Sequence, residues 1–313
     1  NPLEQTQAFY AAQALAAQGD ADAALLLGIL YDSGRGVVRN QEQALKWYVK
    51  APKHPVTAFI IGTYAADGPE GPINKEKAFS LLNFAANQGL AEAMYNLAIL
   101  QHANKQHFIP TLIKAQKAGN ATAGLLLADY YLNQINGLDT LANAKSIYSH
   151  FAEKGDSAAA TKLGYMYEHG LGTAPDPVLA EKWYHAAAVQ QQPTAQFLLG
   201  KLYQSGKLNS PQYGAAKQWY QLAAAKSYTP AATALGFLEE TVHENYTEAA
   251  RAYQQAALSP IACYNLALIK EYGKGTAIDY PAAFHLYQKA AEAGEPAAMA
   301  QLAHCYQQGI GTP

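Results

Sequence analysis

Several features of catalytic or nucleic-acid-binding proteins are scarce in this chain. Charge of one sign is not in excess, because 24 Asp and Glu residues balance 22 Lys and Arg residues, for a formal net charge of -2. Nucleic acid phosphates require a concentrated basic surface, so we expect no nucleic-acid partner. Cys263 and Cys305 are the only cysteines among 313 residues. That number excludes a disulfide-stapled scaffold and predicts two buried free thiols.

Long apolar runs and catalytic motifs are missing as well. No run approaches the roughly 18–20 apolar residues of a transmembrane helix, so we expect no transmembrane segment. HExxH and G-x-S-x-G do not occur, and no nucleophile can be matched with a base and an orienting partner. His102 and His107 are five residues apart, off the spacing that places two ligands on one helix face. We therefore predict no enzyme, no metal site and no small-molecule cofactor.

A repeat is what the sequence does contain. A small residue that follows leucine or isoleucine recurs every 30 to 36 residues, at Gly28, Gly62, Ala98, Ala128, Gly164, Gly200, Gly236, Ala267 and Ala303. An alanine usually stands five residues before it and a tyrosine often three after. With the small residue as position 0, positions -5, -1, 0 and +3 share one side of a helix. The pattern predicts a first helix in each repeat, with a small residue that lets a second helix approach closely.

The second helix follows a glycine-containing turn. It reads "ALKWY" at 44–48, "AEKWY" at 180–184 and "AKQWY" at 216–220, and the repeated position of the tryptophans predicts a core role for Trp47, Trp183 and Trp219. Asp176-Pro177 and Ser210-Pro211 are typical helix starts, with a capping side chain before a proline. The predicted helix ends are Gly19, Gly89, Gly119, Gly155 and Gly294, each able to take a left-handed conformation.

The turn "EYGKGTAIDY" at 271–280 superficially suggests a phosphate loop. Its Gly273-Lys274-Gly275-Thr276 lacks the required spacing and follows no predicted strand. The related stretches "YDSGRGVVRN" at 31–40, "YEHGLGTAPD" at 167–176 and "YQQGIGTP" at 306–313 show that it is one copy of a repeated turn. The prediction is therefore structural: the two glycines connect two helices.

The pattern as a whole predicts an all-α fold without a sheet, an α/α superhelical solenoid of about eight and a half helix–turn–helix repeats. One continuous array is expected over 1–313. The predicted units are 16–52, 53–89, 90–119, 120–155, 156–192, 193–226, 227–258, 259–294 and the incomplete 295–313.

The motif A-x-x-x-L-G-x-x-Y-x-x-G-x-G, followed by A-x-x-W-Y-x-x-A-A, resembles the Sel-one-like repeat, a relative of the tetratricopeptide repeat. Residues 157–188 match it almost throughout. The resemblance implies a non-catalytic adaptor that holds other proteins together. The Tyr-rich, Arg-poor array is most similar to exported bacterial members, some of which promote entry into host cells or regulate envelope enzymes. A virulence role and a periplasmic or secreted location are therefore expected, with a cytoplasmic location as the alternative.

Positions -3, +1 and +4 of the first helices lie opposite the predicted core stripe, on the concave face of a solenoid. The -3 and +1 positions are largely apolar and aromatic, which indicates either a partner-binding surface or rings buried by tight winding. The candidate partner-binding residues are Phe59, Tyr95, Tyr165, Phe197, Lys201, Phe237 and Tyr264.

The expected function is binding of a protein or peptide along this face. Two alternatives remain. One is regulation of a cell-envelope peptidoglycan hydrolase by direct binding. The other is hydrolysis of β-lactam or cell-wall substrates, since the resemblance includes a subgroup of the family that has cysteine pairs in each repeat and is linked to β-lactam binding. This chain departs from that subgroup in having only two cysteines, which lie in adjacent units.

Overall fold

The computed structural model describes residues 2–67, 74–134 and 138–312, and within these ranges it contains helices and no strand. The described helices are α1 (Pro2–Ala17), α2 (Ala21–Ser33), α3 (Gln41–Tyr48), α4 (Pro55–Asp67), α5 (Lys75–Asn87), α6 (Ala91–Ala103), α7 (Ile109–Lys117), α8 (Ala121–Asn133), α9 (Leu138–Glu153), α10 (Ser157–His169), α11 (Pro177–Ala188), α12 (Pro193–Ser205), α13 (Tyr213–Ala224), α14 (Thr229–Thr241), α15 (Tyr246–Gln255), α16 (Pro260–Tyr272), α17 (Tyr280–Glu292) and α18 (Pro296–Gln308). Nine of them, α2 to α18 in even numbers, are the predicted first helices.

The chain forms two compact units, 1–133 and 134–313. The first contains α1 to α8 and the second α9 to α18, so the boundary divides the fourth predicted repeat between its two helices. In each unit, helices that are consecutive in sequence pack against each other. The continuity of one array over 1–313 stays a prediction.

The helix α1 precedes the first predicted repeat, whose boundary at residue 16 did not include it. Phe9, Ala12 and Ala16 of α1 are buried in one cluster with Leu27 of α2. Their spacing of three and four residues places them on one helix face. This helix therefore takes the place of a preceding second helix and covers α2.

In four repeats a tyrosine ring of the second helix lies against a glycine of the first helix. A Cβ atom added to Gly164 would lie 2.6 Å from Cδ1 of Tyr184, and one added to Gly200 would lie 2.6 Å from Cε1 of Tyr220. The predicted role of the small residue is thereby confirmed at these positions. The tyrosine is almost completely buried in six repeats, as Tyr48, Tyr148, Tyr184, Tyr220, Tyr253 and Tyr287.

The tryptophans beside these tyrosines do not lie in the core. Trp47, Trp183 and Trp219 are half-buried, so the prediction of a core role is wrong. The buried face of the second helix carries Ala44 and Tyr48, four residues apart, and a side chain three residues after the alanine lies at its edge. Trp47 packs at the edge of the buried cluster that contains Phe9 and Leu27, and Nζ of Lys50 lies 3.8 Å from the Trp47 ring centroid.

The repeated glycines have the structural role that the sequence predicts. Gly273 ends α16 in the left-handed conformation with φ of +64°, and its N–H donates to the carbonyl of Ile269. Gly275, with φ of +66°, passes so close to α15 that an added Cβ would lie 2.9 Å from the backbone nitrogen of Thr247. The predicted helix ends at 19, 89, 119, 155 and 294 all have positive φ values, between +89° and +96°.

One of the two predicted helix starts is confirmed and the other is wrong. The Asp176 side chain accepts hydrogen bonds from the backbone N–H groups of Val178 and Leu179 at the start of α11. The helix α13 begins at Tyr213, and not after Ser210. Pro211 packs on the preceding turn instead, since a Cβ on Gly206 would lie 3.2 Å from its ring.

Position +3 of a first helix contacts the second helix of the preceding repeat. In α12 the Tyr203 hydroxyl donates to the carboxylate of Glu181 in α11, at 2.6 Å. In α14 the equivalent residue is Glu239, which is 1% exposed. The Glu239 Oε1 atom lies 2.8 Å from Nζ of Lys217 in α13. Lys217 occupies the repeat position that Glu181 has in α11. The seventh repeat therefore replaces a tyrosine–glutamate hydrogen bond with an ion pair in which the carboxylate is buried and the lysine is 35% exposed.

Candidate functional site

A groove of about 490 Å³ lies on the first helices of the second unit. Side chains of α12, α14 and the beginning of α16 form it, together with Tyr220 of α13. These three first helices belong to successive repeats, and α14 also contacts α16. The groove therefore results from the stacking of repeats.

Two phenylalanines provide most of the aromatic surface in the groove. Phe237, at position +1 of α14, is 50% exposed although it is a large apolar side chain. Phe197, at position -3 of α12, is half-buried, and its ring centroid lies 5.9 Å from that of Tyr220 and 5.6 Å from that of Tyr228. Phe197 is thus a fixed wall of the groove, whereas half of Phe237 is accessible to solvent.

A lysine and two amide side chains accompany the phenylalanines. Lys201 carries the single charge among the groove's lining residues, and its Nζ lies 5.7 Å from the ring centroid of Phe197. The Gln204 carboxamide oxygen accepts a hydrogen bond from the Tyr220 hydroxyl at 2.6 Å. The Asn265 side-chain N–H donates to the Tyr253 hydroxyl at 3.2 Å. Buried tyrosines therefore hold both amide groups in place.

The structure brings three of the seven candidate residues, Phe197, Lys201 and Phe237, into one groove. Tyr165 and Tyr264 belong to the same unit but do not line it. Tyr165 is 39% exposed, with its ring centroid 4.1 Å from that of His169. Tyr264 is half-buried and packs with Tyr287 at a centroid distance of 5.9 Å.

Phe59 and Tyr95 lie in the first unit, on α4 and α6. Both are half-buried, and Phe59 packs against the cluster of buried residues shared by α4, α5 and α6. The partner-binding role of these two residues, like that of the other five, stays a prediction.

The two rows of the concave face differ in exposure. Exposed members of the +1 row are Ile29, Ile99, Tyr165, Lys201, Phe237 and His304. Most members of the -3 row are half-buried, namely Leu25, Phe59, Tyr95, Leu125, Phe197, Thr233 and Tyr264, while Thr161 is buried. A free apolar surface is therefore found mainly along the +1 row, and packing within the repeats covers much of the -3 row.

The +4 position was wrongly assigned to the solvent face. The Tyr184 hydroxyl donates to the carboxylate of Glu168 at 2.9 Å, and the Tyr253 hydroxyl donates to that of Glu240 at the same distance. Burial, together with the neighbouring carboxylate, raises the pKa of both tyrosines well above the ordinary value, so the hydroxyls remain donors. The sequence does contain a signal for these contacts, because an acid or amide at +4 recurs together with a tyrosine in the next helix. The pairs are Asp32/Tyr48, Glu168/Tyr184, Gln204/Tyr220, Glu240/Tyr253 and Glu271/Tyr287.

Other kinds of site find little support among the described residues. No group of three or more His, Cys, Asp or Glu side chains in this part of the chain could hold a metal ion. Cys263 and Cys305 are buried free thiols, as predicted, and burial raises the pKa of both. None of the helices in the described ranges has the length and apolar character to cross a bilayer.

Solved structures with the same arrangement of helices support the fold. One is a protective antigen of uropathogenic Escherichia coli with an SLR fold, with a TM-score of 0.82 and 26% identity. The match covers 98% of this chain and 69% of the antigen's chain. A Sel1 repeat protein from Oxalobacter formigenes matches with a TM-score of 0.76 and 21% identity, over 94% and 90% of the two chains. These likenesses confirm the predicted α/α solenoid.

Sequence relatives are longer proteins. The chitin synthase regulator SKT5 of Saccharomyces cerevisiae is 28% identical over an alignment of 245 residues, and the match covers 59% of this chain and 35% of that protein. Protein sel-1 homolog 2 of Mus musculus is 34% identical over an alignment of 129 residues, and the match covers 37% of this chain and 19% of that protein. This chain thus spans about a third or less of the length of these relatives.

The family model for the Sel1 repeat matches residues 21–51, 62–90, 91–103, 157–190, 193–228, 260–295 and 296–313, more than half of the chain. No catalytic family is indicated by these matches. Proteins built from this repeat generally act as scaffolds for protein–protein interaction. The chain belongs to the Sel1 repeat family.

Proposed function

We propose that this protein is a non-catalytic scaffold that binds a protein partner in the groove formed by α12, α14 and α16. The observation that carries the proposal is the exposure of Phe237 beside Phe197 in an apolar groove. The fold's own packing leaves half of the Phe237 ring in water, at a free-energy cost that a partner would remove. Aromatic side chains also dominate the energy of many protein interfaces.

The size of the effect follows from the area that Phe237 has left to bury. Full burial of a phenylalanine contributes about 1.5–3 kcal/mol, and half of this ring is already covered. Loss of the ring should therefore cost about 0.8–1.5 kcal/mol of binding free energy, which is about a four- to twelvefold increase in Kd.

Pull-down with matched variants tests the proposal. Phe237→Ala is compared with Leu222→Ala, a control on α13 in which the replaced side chain is 49% exposed but lies outside the groove. Partners captured by the intact chain are identified by quantitative mass spectrometry. We expect a partner whose recovery falls with Phe237→Ala and not with Leu222→Ala. Equal recovery with both variants would place the binding surface elsewhere.

A role in virulence, with export to the periplasm or the cell exterior, is a narrower proposal. It is supported by the likeness to the protective antigen of uropathogenic Escherichia coli. Fractionation of the source cells, with this chain detected by antibody, tests the location. Recovery of the protein only with the cytoplasmic fraction would exclude it.

Regulation of a cell-wall enzyme is a second candidate function. It is supported by the 28% identity to a chitin synthase regulator over 59% of this chain. If this role is correct, the partner lost with Phe237→Ala will be an enzyme that makes or cleaves a wall polysaccharide. Addition of the purified chain will then change the rate of that enzyme. A partner of another class would exclude this role without affecting the binding proposal.

A further inference from the structure

We infer that the groove binds an extended peptide segment in which a bulky apolar side chain lies close to an internal aspartate or glutamate. The inference rests on the proposed function and adds to it the chemistry of the partner. Three features of the groove carry it: the exposed ring of Phe237, the charge of Lys201, and the two amide groups of Gln204 and Asn265.

The charge of the groove favours an acidic partner. Lys201 is exposed, it is the one charged residue in the lining, and no described carboxylate forms an ion pair with it. Its ammonium group lies near the Phe197 ring, so a carboxylate bound there would be next to the aromatic wall. A carboxylate that pairs with an ammonium at the border of an apolar surface forms a charge-assisted hydrogen bond.

The acidic group is best supplied by a side chain within the peptide. Capture of a C-terminal carboxylate typically uses several backbone N–H groups that converge on it. Here the groove offers one ammonium group, on the exposed Lys201. A single point charge suits an aspartate or glutamate side chain that approaches from solvent.

The amide groups favour an extended main chain. The Gln204 oxygen is occupied by Tyr220, and its NH₂ group has no partner among the described residues. Asn265 uses its N–H toward Tyr253, and its oxygen has no described partner. The groove thus presents a fixed donor and a fixed acceptor. An extended peptide offers free main-chain N–H and C=O groups to both, whereas a helix has already paired them internally.

A displayed library of random linear peptides, selected on the full chain, tests the inference. Enriched peptides are synthesised, and their Kd values are measured by fluorescence anisotropy. We expect an aromatic or long aliphatic residue close to Asp or Glu in the enriched sequences. Replacing that acidic residue by its amide should raise Kd about tenfold, as expected for a lost charge-assisted contact.

Variants of the protein complete the design. Lys201→Glu should weaken acidic peptides at least about tenfold, and Lys201→Gln by less, because the first adds repulsion to the loss of attraction. The control is Lys154→Glu, an exposed lysine of the same unit outside the groove. Gln204→Glu keeps the oxygen that Tyr220 needs but removes the NH₂ donor, so it too should weaken binding. Thermal melting confirms that each variant is folded.

The outcomes separate this inference from the proposed function. Peptides that bind without an acidic preference, and are insensitive to Lys201→Glu but sensitive to Phe237→Ala, would overturn the inference alone. An absence of selected peptides would also overturn it, while a protein partner lost with Phe237→Ala would leave the proposed function standing. Peptides insensitive to Phe237→Ala would contradict both.

Discussion

Replacement of Gly164 by leucine tests the glycine–tyrosine contact between the two helices of a repeat. In α10 this glycine faces the Tyr184 ring, and an added Cβ atom would lie 2.6 Å from Cδ1 and 2.8 Å from Cε1. Tyr184 is fully buried, and its hydroxyl is held by Glu168. The ring therefore has little freedom to move away, and the larger side chain has to separate the two helices.

The expected cost follows from two opposing terms. Overpacking a core typically destabilises by about 1–3 kcal/mol, and a contact with an immobile ring belongs to the upper part of that range. Removal of a glycine from a helix gains up to about 1 kcal/mol. Gly164→Leu should therefore lower the free energy of unfolding by about 2 kcal/mol. Gly164→Ala should cost less, because the eighth repeat already accommodates Ala267 at the equivalent position.

Gly214→Leu is the matched control. This glycine lies in α13, where an added Cβ meets no heavy atom within 4 Å. The control has the helix-propensity gain without the clash, so it should not destabilise the protein. Urea unfolding followed by circular dichroism, with hydrogen exchange at 157–188, measures the effect. Equal midpoints for Gly164→Leu and Gly214→Leu would refute the proposed contact.

Two further predictions concern buried polar groups in the second unit. Lys217→Met should lower the free energy of unfolding by about 2 kcal/mol, because it leaves the buried Glu239 carboxylate with His243 alone, whose Nδ1 lies 3.4 Å from Oε2. The double change Lys217→Glu with Glu239→Tyr, which recreates the Tyr203–Glu181 pair, should recover most of this loss in urea unfolding. If the double variant is no more stable than Lys217→Met, the equivalence of the two contacts is wrong. Burial and the hydrogen bond to Glu181 raise the pKa of Tyr203 to about 12, above its unfolded value near 10. The resulting stabilisation is present below pH 10 and is lost as the pH rises toward 12. Stability measured from pH 9 to 12 should therefore fall less steeply for Tyr203→Phe, and identical slopes would contradict the shift.

The sequence predicted the repeat and its register because these depend on local spacing. The close approach at Gly200, the capping by Asp176 and the positive-φ helix ends all follow from residues within one helix or one turn. The core position of the second helix was assigned to Trp219 instead of Tyr220. Residues three and four positions after the alanine both lie near the same helix face. Only the packing of the partner helix decides which of the two, Trp219 or Tyr220, is buried.

Contacts between repeats were harder to predict. The ion pair of Lys217 with Glu239 depends on which residues meet across two repeats, and its members are 22 residues apart, as Glu181 and Tyr203 are. The groove combines residues of three first helices, so its rings could be predicted from their positions, but its amide groups could not. Gln204 occupies a position assigned to solvent, and only the structure shows that Tyr220 fixes its orientation.

Site-specific photo-crosslinking tests the central claim most directly. Benzoylphenylalanine is incorporated in place of Phe237, and in a separate variant in place of Leu222, and the intact chain is irradiated with its captured partner. We expect a crosslink from position 237, no crosslink from position 222, and loss of the crosslink in competition with the selected acidic peptide. A partner that crosslinks from position 222 and not from position 237 would contradict the assignment of the groove as the binding surface.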